Sequence, residues 1–556
     1  MTKKGFSKHT SLYIYLPVLL AVVLIVGIFL GLNLSFRKDT EKSKNSFFSI
    51  GIENGNKIND VINYVFESYV DSIDRKELEE ETIHSLLETL DPHSSYIPSE
   101  DFRDLNDPLM GSFEGIGIKF NMINDTVMIV NPIPGGPSEK VGLMAGDRIV
   151  SVDGKNIAGE NISTSDIVRM LKGEKGTKVN VSIYRRNVDD LLEFSIIRDE
   201  IPSYSLDIAY MVDEDVGYIK LSRFSATTHG EFRDAIDRLK LNGMSKMILD
   251  LRGNGGGFLD AAINLADELL EPHNLIVYTD GRSYPRNYVN ANRNGAFEKD
   301  PLIILIDEWS ASASEIIAGA VQDNDRGLIM GRRSFGKGLV QEQVQLGDGS
   351  ALRLTIARYY TPTGRSIQTP YESGDPRDYM DEFTDRLLQG ELQHVDSIKQ
   401  IDSLKYETPA GRTVYGGGGI VPDIFVPLQS GENSEFFNKL VNSGLIYRFA
   451  FDYADRNREN LNEYENTERF INKFNISPAI LNEFANYISA NEIEFKSDDI
   501  AKCDDMIKNY LKAYIGRNIY GNEAFFPVFH KKDHVFQKAL KTIKSDTLTL
   551  LLMPQN

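Results

Sequence analysis

The sequence predicts a multidomain protein centred on an α/β domain with much parallel sheet. A short helical segment, a β-rich segment and a helical C-terminal extension flank it. Three observations lead there. The chain has 556 residues, room for three to four domains at about 150 residues each. After Pro202 short apolar runs alternate with segments of helical period, the pattern of a sheet with crossover helices. Residues 111–200 instead carry short β-rich runs broken by Gly, Pro and Asp.

Composition narrows the class. Charged residues are 26% and hydrophobic ones 41%, with Gly 44 and Pro 20, which excludes general disorder, collagen-like repeats and a polytopic membrane protein. Lys plus Arg number 61 against 81 Asp plus Glu, a net charge of −20, which argues against nucleic acid as the main partner. The single cysteine, Cys503, excludes an intramolecular disulfide and a Cys-based zinc cluster.

The elements follow in order. No charged side chain occurs from Thr10 to Phe36, and Ile14–Leu32 is almost wholly apolar over 19 residues, close to the roughly 20 of a membrane-spanning helix. A signal-peptide core of about 7–15 residues would be shorter. Residues 1–36 are therefore expected to be a cytoplasmic tail and single-pass inner-membrane anchor. Lys3, Lys4 and Lys8 before it and Arg37, Lys38, Lys42 and Lys44 after it leave the orientation undecided. A large domain after one early span normally translocates, so the remainder is expected outside the cytoplasm, in the periplasm. Residues 37–110 read as a linker and a helical hairpin, with Ile58, Val61, Ile62, Val65 and Phe66, then Ile83, Leu86, Leu87 and Leu90, at helical spacing before Asp91-Pro92.

Within 111–200, Gly115-Ile116-Gly117-Ile118 leads into a strand, followed by a Pro-Gly-Gly-Pro turn at 134–137 and Gly146-Asp147-Arg148-Ile149 with Val152-Asp153-Gly154. This order resembles a PDZ domain of the bacterial protease-associated type. Residues 201–430 hold the α/β domain: strands at 216–221, 246–251, 302–306 and 328–331, helices at 231–241, 259–269 and 313–322. A charged, helix-prone insertion at 371–413 interrupts it. Residues 431–556 are charged and helical to the end.

Three stretches could do chemistry. Ser310-Ala311-Ser312-Ala313-Ser314-Glu315 follows an apolar strand and opens a helix of small residues, so a nucleophile there would sit on a tight turn near the positive end of the helix. The Ala313 amide could then face a developing oxyanion. Ser312 with Glu315 three residues on is equally a capping box. Gly331 to Gln341 places Lys337 between glycines before a strand. A lysine base must be neutral, and lowering its pKa from about 10.4 to about 7–8 takes about 4 kcal/mol. Burial beside apolar walls supplies this, and Gln341 could orient the amine without charging it. Gly255-Gly256-Gly257 ends a strand and exposes backbone N–H groups to an anion; no Gly-Lys-Ser/Thr follows, which disfavours a nucleotide loop.

With Leu90-Asp91-Pro92-His93-Ser94-Ser95-Tyr96 and Tyr360-Thr361-Pro362-Thr363-Gly364-Arg365, these stretches resemble the carboxyl-terminal processing (tail-specific) proteases over about residues 58–430. The resemblance implies a crotonase-like catalytic domain with a mixed sheet and a serine endopeptidase. Its nucleophile would be Ser312, its base Lys337, and Gln341 would assist. Oxyanion donors would come from the Gly256-Gly257 backbone and Ala313, with the donating glycine left open. It also implies cleavage near the free C-termini of protein or peptide substrates.

The PDZ-like segment would hold the substrate carboxylate at Gly115–Gly117 and add the tail as a strand. Ile116, Ile118, Ile167 and Leu171 either line its apolar pocket or simply form core. No metal or organic cofactor is needed for this reaction. A triad through His93 or His273, and a metal held by His530 and His534, have little support. Asp323 and Asp325 are read as tying down the end of the serine helix. The extension could join copies into a homo-oligomer or bind an adaptor. The alternative function is a non-catalytic PDZ scaffold, with Ser312 only a cap and Lys337 only a turn residue.

Overall fold

A computed structural model describes residues 57–123, 125–371, 376–428 and 432–545. It divides into one unit up to Thr82 and one from Ile83 onward. The first contains the helix Lys57–Ser68 and the start of Arg75–Glu88, with Arg75 Nη2 donating to Asn63 Oδ1 at 2.9 Å.

The expected membrane anchor is corrected. Among the described residues no helix is long and apolar enough to cross a membrane, and residues 10–36, on which the anchor rests, lie outside the described residues. The inner-membrane and periplasmic assignment is withdrawn with it.

The large unit is organised on a six-stranded mixed sheet in the order Leu206–Met211, Val216–Leu221, Lys246–Asp250, Leu302–Ile306, Leu328–Gly331, Ile424–Phe425. The first pair is antiparallel and the rest are parallel. Leu302–Ile306 is buried at every position because both faces of the sheet are covered. Leu302, Ile304 and Ile306 pack with the helices Thr228–Leu241, Leu259–Leu269 and Ala313–Asp323. Ile303 and Leu305 pack with Phe526, Val535, Phe536 and Ala539 of the extension. The extension thus supplies the second layer of this sheet, its helices Asn522–Phe529 and His534–Ile543 spending apolar surface there. Its remaining helices close a core of their own around Phe449, Phe470, Phe484 and Leu511.

A second, antiparallel sheet joins Ser95–Ile97, Ala351–Tyr360, Leu275–Asp280 and Asn287–Asn290, with Leu339–Gln345 paired along Ala351–Tyr360. The insertion carries the helix Pro376–Leu388 and packs behind the lysine turn: Tyr379 Oη donates to the Gly336 carbonyl (3.2 Å) and Arg386 Nη2 to that of Arg333 (3.1 Å).

The PDZ-like segment is a six-stranded antiparallel sheet with the helix Thr164–Leu171, closed over Val127, Ile129, Ile149, Ile167 and Val181. The chain enters and leaves it through one antiparallel pair, Ser112–Gly115 with Asp199–Pro202, and Ser203 N–H meets the Gly111 carbonyl at 2.8 Å. Ion pairs hold it on two sides. Lys172 Nζ reaches Asp104 (2.8 Å) and Asp107 (3.1 Å) of the helix Ser99–Met110. Asp455 of the extension meets Arg148 (3.1 Å) and Arg186 (3.7 Å).

Candidate active site

The strand Lys246–Asp250 runs out into the glycine stretch, which lies against the start of the serine helix. Gly256 has φ +101°, and a Cβ there would stand 2.8 Å from Ser312 Cβ and 3.0 Å from the Ala313 nitrogen. Only glycine permits that approach. Buried Asn254 locks the loop: its Oδ1 accepts the Gly256 N–H (2.9 Å), and its carbonyl accepts from the Ala311 N–H (3.0 Å) and from Ser314 Oγ (2.8 Å). The Gly256 amide is therefore committed. Among the described residues the Gly257 and Ala313 amides have no such partner, Ala313 being the first residue of its helix.

Ser312 has φ +55° and ψ −112°. An ordinary N-cap residue is extended; Ser312, half-buried, instead takes a strained conformation on a sharp strand-to-helix turn. The capping box is present as well, with the Glu315 carboxylate accepting the Ser312 N–H at 2.7 Å. That carboxylate does more than cap. It also accepts from Ser334 Oγ (2.6 Å), the Gly336 N–H (2.7 Å) and the Lys337 N–H (2.9 Å), joining the serine turn to the lysine turn. Burial pushes its pKa up to about 7 despite these donors. Buried Tyr359 makes a second brace, its Oη lying 3.1 Å from the Ser312 carbonyl and 2.7 Å from that of Lys337.

Lys337, Gln341 and Ser312 line one cavity of about 410 Å³, together with Gly256, Gly257 and Ala313. Lys337 Nζ donates to Gln341 Oε1 at 2.8 Å, and Gln341 Nε2 donates to the His93 carbonyl at 2.6 Å. The segment carrying His93 is held in turn by Asp91, whose carboxylate accepts the His93 N–H, the Ser94 N–H and Ser94 Oγ at 2.6–2.8 Å. Burial, then the Arg353 guanidinium, lower the Lys337 pKa below the ordinary lysine value; Asp91 and Glu315 oppose them. In this state the amine's hydrogen bond goes to Gln341 and not to Ser312.

The residues assigned to the tail site are elsewhere. Ile116, Ile167 and Leu171 are buried in the PDZ-like core and Ile118 packs against it; none lines the Ser312 cavity. Gly117 has φ +73°, and the strand Ile118–Ile123 is an edge strand, paired among the described residues only with Thr126–Pro132.

The histidines take no part in a triad. His93 is half-buried, and its buried Nε2 has no hydrogen-bond partner among the described residues. Burial and Lys337 hold its pKa at about 4, and its carbonyl is what serves the site. His273 occupies a turn at φ +76°. His530 and His534 do not share a helix face, since one follows Asn522–Phe529 and the other opens His534–Ile543. No His/Cys/Asp/Glu cluster fit for a metal occurs among the described residues. Asp323 and Asp325 pair with Arg365 (2.6 Å) and Arg412 (2.7 Å).

Sequence reasoning missed the bridging role of Glu315, the brace of Tyr359, Arg353, and Asn106 and Leu109 in the cavity wall. Only Glu315 carried a signal, its place in the capping box.

Peptidase family S41 matches residues 215–374, a PDZ domain matches 115–196, and a family of unknown function matches 436–521. The carboxy-terminal-processing protease of Bartonella bacilliformis is 37% identical over 357 residues, covering 62% of this chain and 80% of that protein. The carboxy-terminal processing protease CtpA of Bacillus subtilis is 33% identical over 320 residues, 57% of this chain and 68% of that one. A solved structure of a photosystem II D1 C-terminal processing protease is 30% identical over 56% of this chain and 85% of its own, with a TM-score of 0.33.

Proposed function

Because the chain belongs to the carboxy-terminal-processing proteases of peptidase family S41, we propose that it is a serine endopeptidase in which Ser312 is the nucleophile, Lys337 its base, and an acyl-enzyme the intermediate. One observation carries this reading. A lysine amine with a lowered pKa lies in the cavity of a strained serine, held by a neutral amide.

Neutral Lys337, an N–H given to Gln341 Oε1, directs its lone pair to Ser312 and takes the hydroxyl proton as Oγ bonds to the scissile carbonyl carbon. The oxyanion that forms accepts from the Gly257 and Ala313 N–H groups; Gly256, bound to Asn254, shapes the wall. Collapse breaks the C–N bond, and Lys337 gives its proton to the leaving amine. Water then adds to the ester with Lys337 again as base, and Ser312 is released.

The substrate tail is read as an added strand along Ile118–Ile123, its free carboxylate at the Gly115–Gly117 turn; the unpaired edge of that strand supports this. The α/β domain is read as crotonase-like on the family resemblance, with working boundaries at 37–110, 111–200, 201–430 and 431–556.

Turnover of peptides with free and amidated apolar tails tests the proposal. Ser312→Ala and Lys337→Ala are each expected to lower kcat by about 10³-fold or more with an unchanged melting curve. Turnover that survives Lys337→Ala would remove the dyad, and turnover indifferent to tail amidation would remove carboxylate capture.

A further inference from the structure

The insertion carries none of the motifs that build the site, yet its helix Pro376–Leu388 meets the serine turn, the lysine turn and the segment at His93. We propose that Tyr379 on this helix is a positioning residue for Lys337. It fixes the lysine's turn by one contact and the support of its amine by another, a role that rests on Lys337 as the base.

Tyr379 is 4% exposed, so its hydroxyl needs a partner inside the protein. That partner is the Gly336 carbonyl, at 3.2 Å, in the peptide group that leads into Lys337. The same carbonyl accepts the Thr369 N–H at 2.9 Å, which fills both its lone pairs. The neighbouring groups are committed too: the Gly336 and Lys337 N–H groups to Glu315, and the Lys337 carbonyl to Tyr359. Tyr379 supplies the one contact of this set that comes from the insertion.

Its ring makes the second contact. The ring centroids of Tyr379 and His93 lie 4.8 Å apart at 82°, an edge-to-face pair. His93 Nε2 is buried without a hydrogen-bond partner among the described residues, so packing against Tyr379, and no polar contact at that nitrogen, holds the imidazole there. The His93 carbonyl accepts from Gln341 Nε2, and Gln341 Oε1 accepts from Lys337 Nζ. One aromatic side chain therefore bears on the lysine's backbone directly and on its amine through His93 and Gln341.

The rest of the helix keeps Tyr379 in place. Phe383 packs against Phe335 of the lysine turn (5.8 Å) and against Trp309 (5.1 Å), which shortly precedes Ser312. Buried Arg386 donates to the Arg333 carbonyl and shares the Glu391 carboxylate with Arg333.

The titratable groups that face Lys337 are Arg353, Asp91, Glu315 and His93, none of them on the insertion. Burial keeps Tyr379 neutral. It acts on the lysine by shape and by the exclusion of water, not by charge.

The titration of Lys337 is read without catalysis, from the pH dependence of its acetylation by an amine-directed reagent followed by mass spectrometry. Tyr379→Leu is expected to let water reach the amine, so that its pKa rises and the labelling curve moves up by about half a pH unit or more. The acid limb of kcat/KM is expected to move with it, and kcat to fall about 30-fold or more with KM within two-fold. Tyr379→Met, which refills the space without a flat ring, is expected to shift the curve in the same direction. Tyr379→Phe keeps the ring and is expected to stay within about five-fold of wild type with both curves unmoved. Asp385→Asn, exposed on the same helix, is expected to change none of these readouts. A labelling curve that stays put in both Tyr379→Leu and Tyr379→Met would overturn the proposal, as would an equal shift in Tyr379→Phe. A shifted curve would uphold the placement of Lys337 even if turnover survived Lys337→Ala, a result that fails the dyad and not the brace.

Discussion

Lys337 and Gln341 lie 2.8 Å apart, nitrogen to amide oxygen, Gln341 on the strand Leu339–Gln345 and Lys337 two residues before it begins. The partner is neutral, so it positions the amine and adds no charge that would favour its protonation. The acid limb of kcat/KM is expected to report Lys337 losing its proton, below the ordinary lysine range. Gln341→Glu places a carboxylate there, raises the lysine pKa and moves that limb to higher pH. A limb that stays put would separate Lys337 from the titration.

Glu315 receives four donors, of which Ser334 Oγ alone can reverse and accept. Glu315→Gln keeps the shape and loses part of the bridge between the two turns. Its kcat is expected to fall about 10–100-fold with KM little changed. The pH dependence of stability has a definite sign. The native pKa, about 7, exceeds the unfolded value near 4.5, so this group's stabilisation is complete below pH 4.5 and is lost as pH rises through 7. Chemical denaturation of wild type against Glu315→Gln across that window measures the difference, and parallel curves would refute it.

Asn254 holds the glycine loop that is proposed to help form the oxyanion site, through the Gly256 N–H and the Leu221 carbonyl. Asn254→Ala frees the Gly256 amide and lets the loop shift. A kcat loss of about 10²-fold is expected with peptide binding retained, read from single-turnover acylation and equilibrium binding. Weakened binding with normal acylation would contradict this placement.

Asp455 is the common partner of Arg148 and Arg186. Asp455→Ala is expected to raise amide exchange at 146–150 and 445–456 while leaving the melting of the catalytic sheet within about 1 kcal/mol of wild type. Unaltered exchange at both segments would show that apolar packing alone holds the PDZ domain there.

Legibility followed the range of the interactions. Leu302–Ile306 and Leu328–Gly331 were readable to the residue because strands buried on both faces are continuous apolar runs. Local context and family resemblance led to the expectation that Ser312 and Lys337 share a site, and both line one cavity. Glu315 reads as a cap because its local partner is three residues away, while Ser334, Gly336 and Lys337 lie 19 to 22 residues on. Ala351–Tyr360 mixes Arg, Thr and Tyr with aliphatics, being only partly buried along most of its length, and hid its period. The extension read as charged helices; the apolar stripe with which it roofs the sheet emerged only from packing.

The paired stem of the PDZ domain brings the two ends of residues 112–202 together, with Ser203 and Gly111 already in hydrogen-bond contact. The PDZ domain is thus a cassette closed on a single stem. A splice from Gly111 to Ser203 would excise it without rerouting the polypeptide through the hydrolytic core, and a foreign reader of peptide ends could be grafted at the same joint.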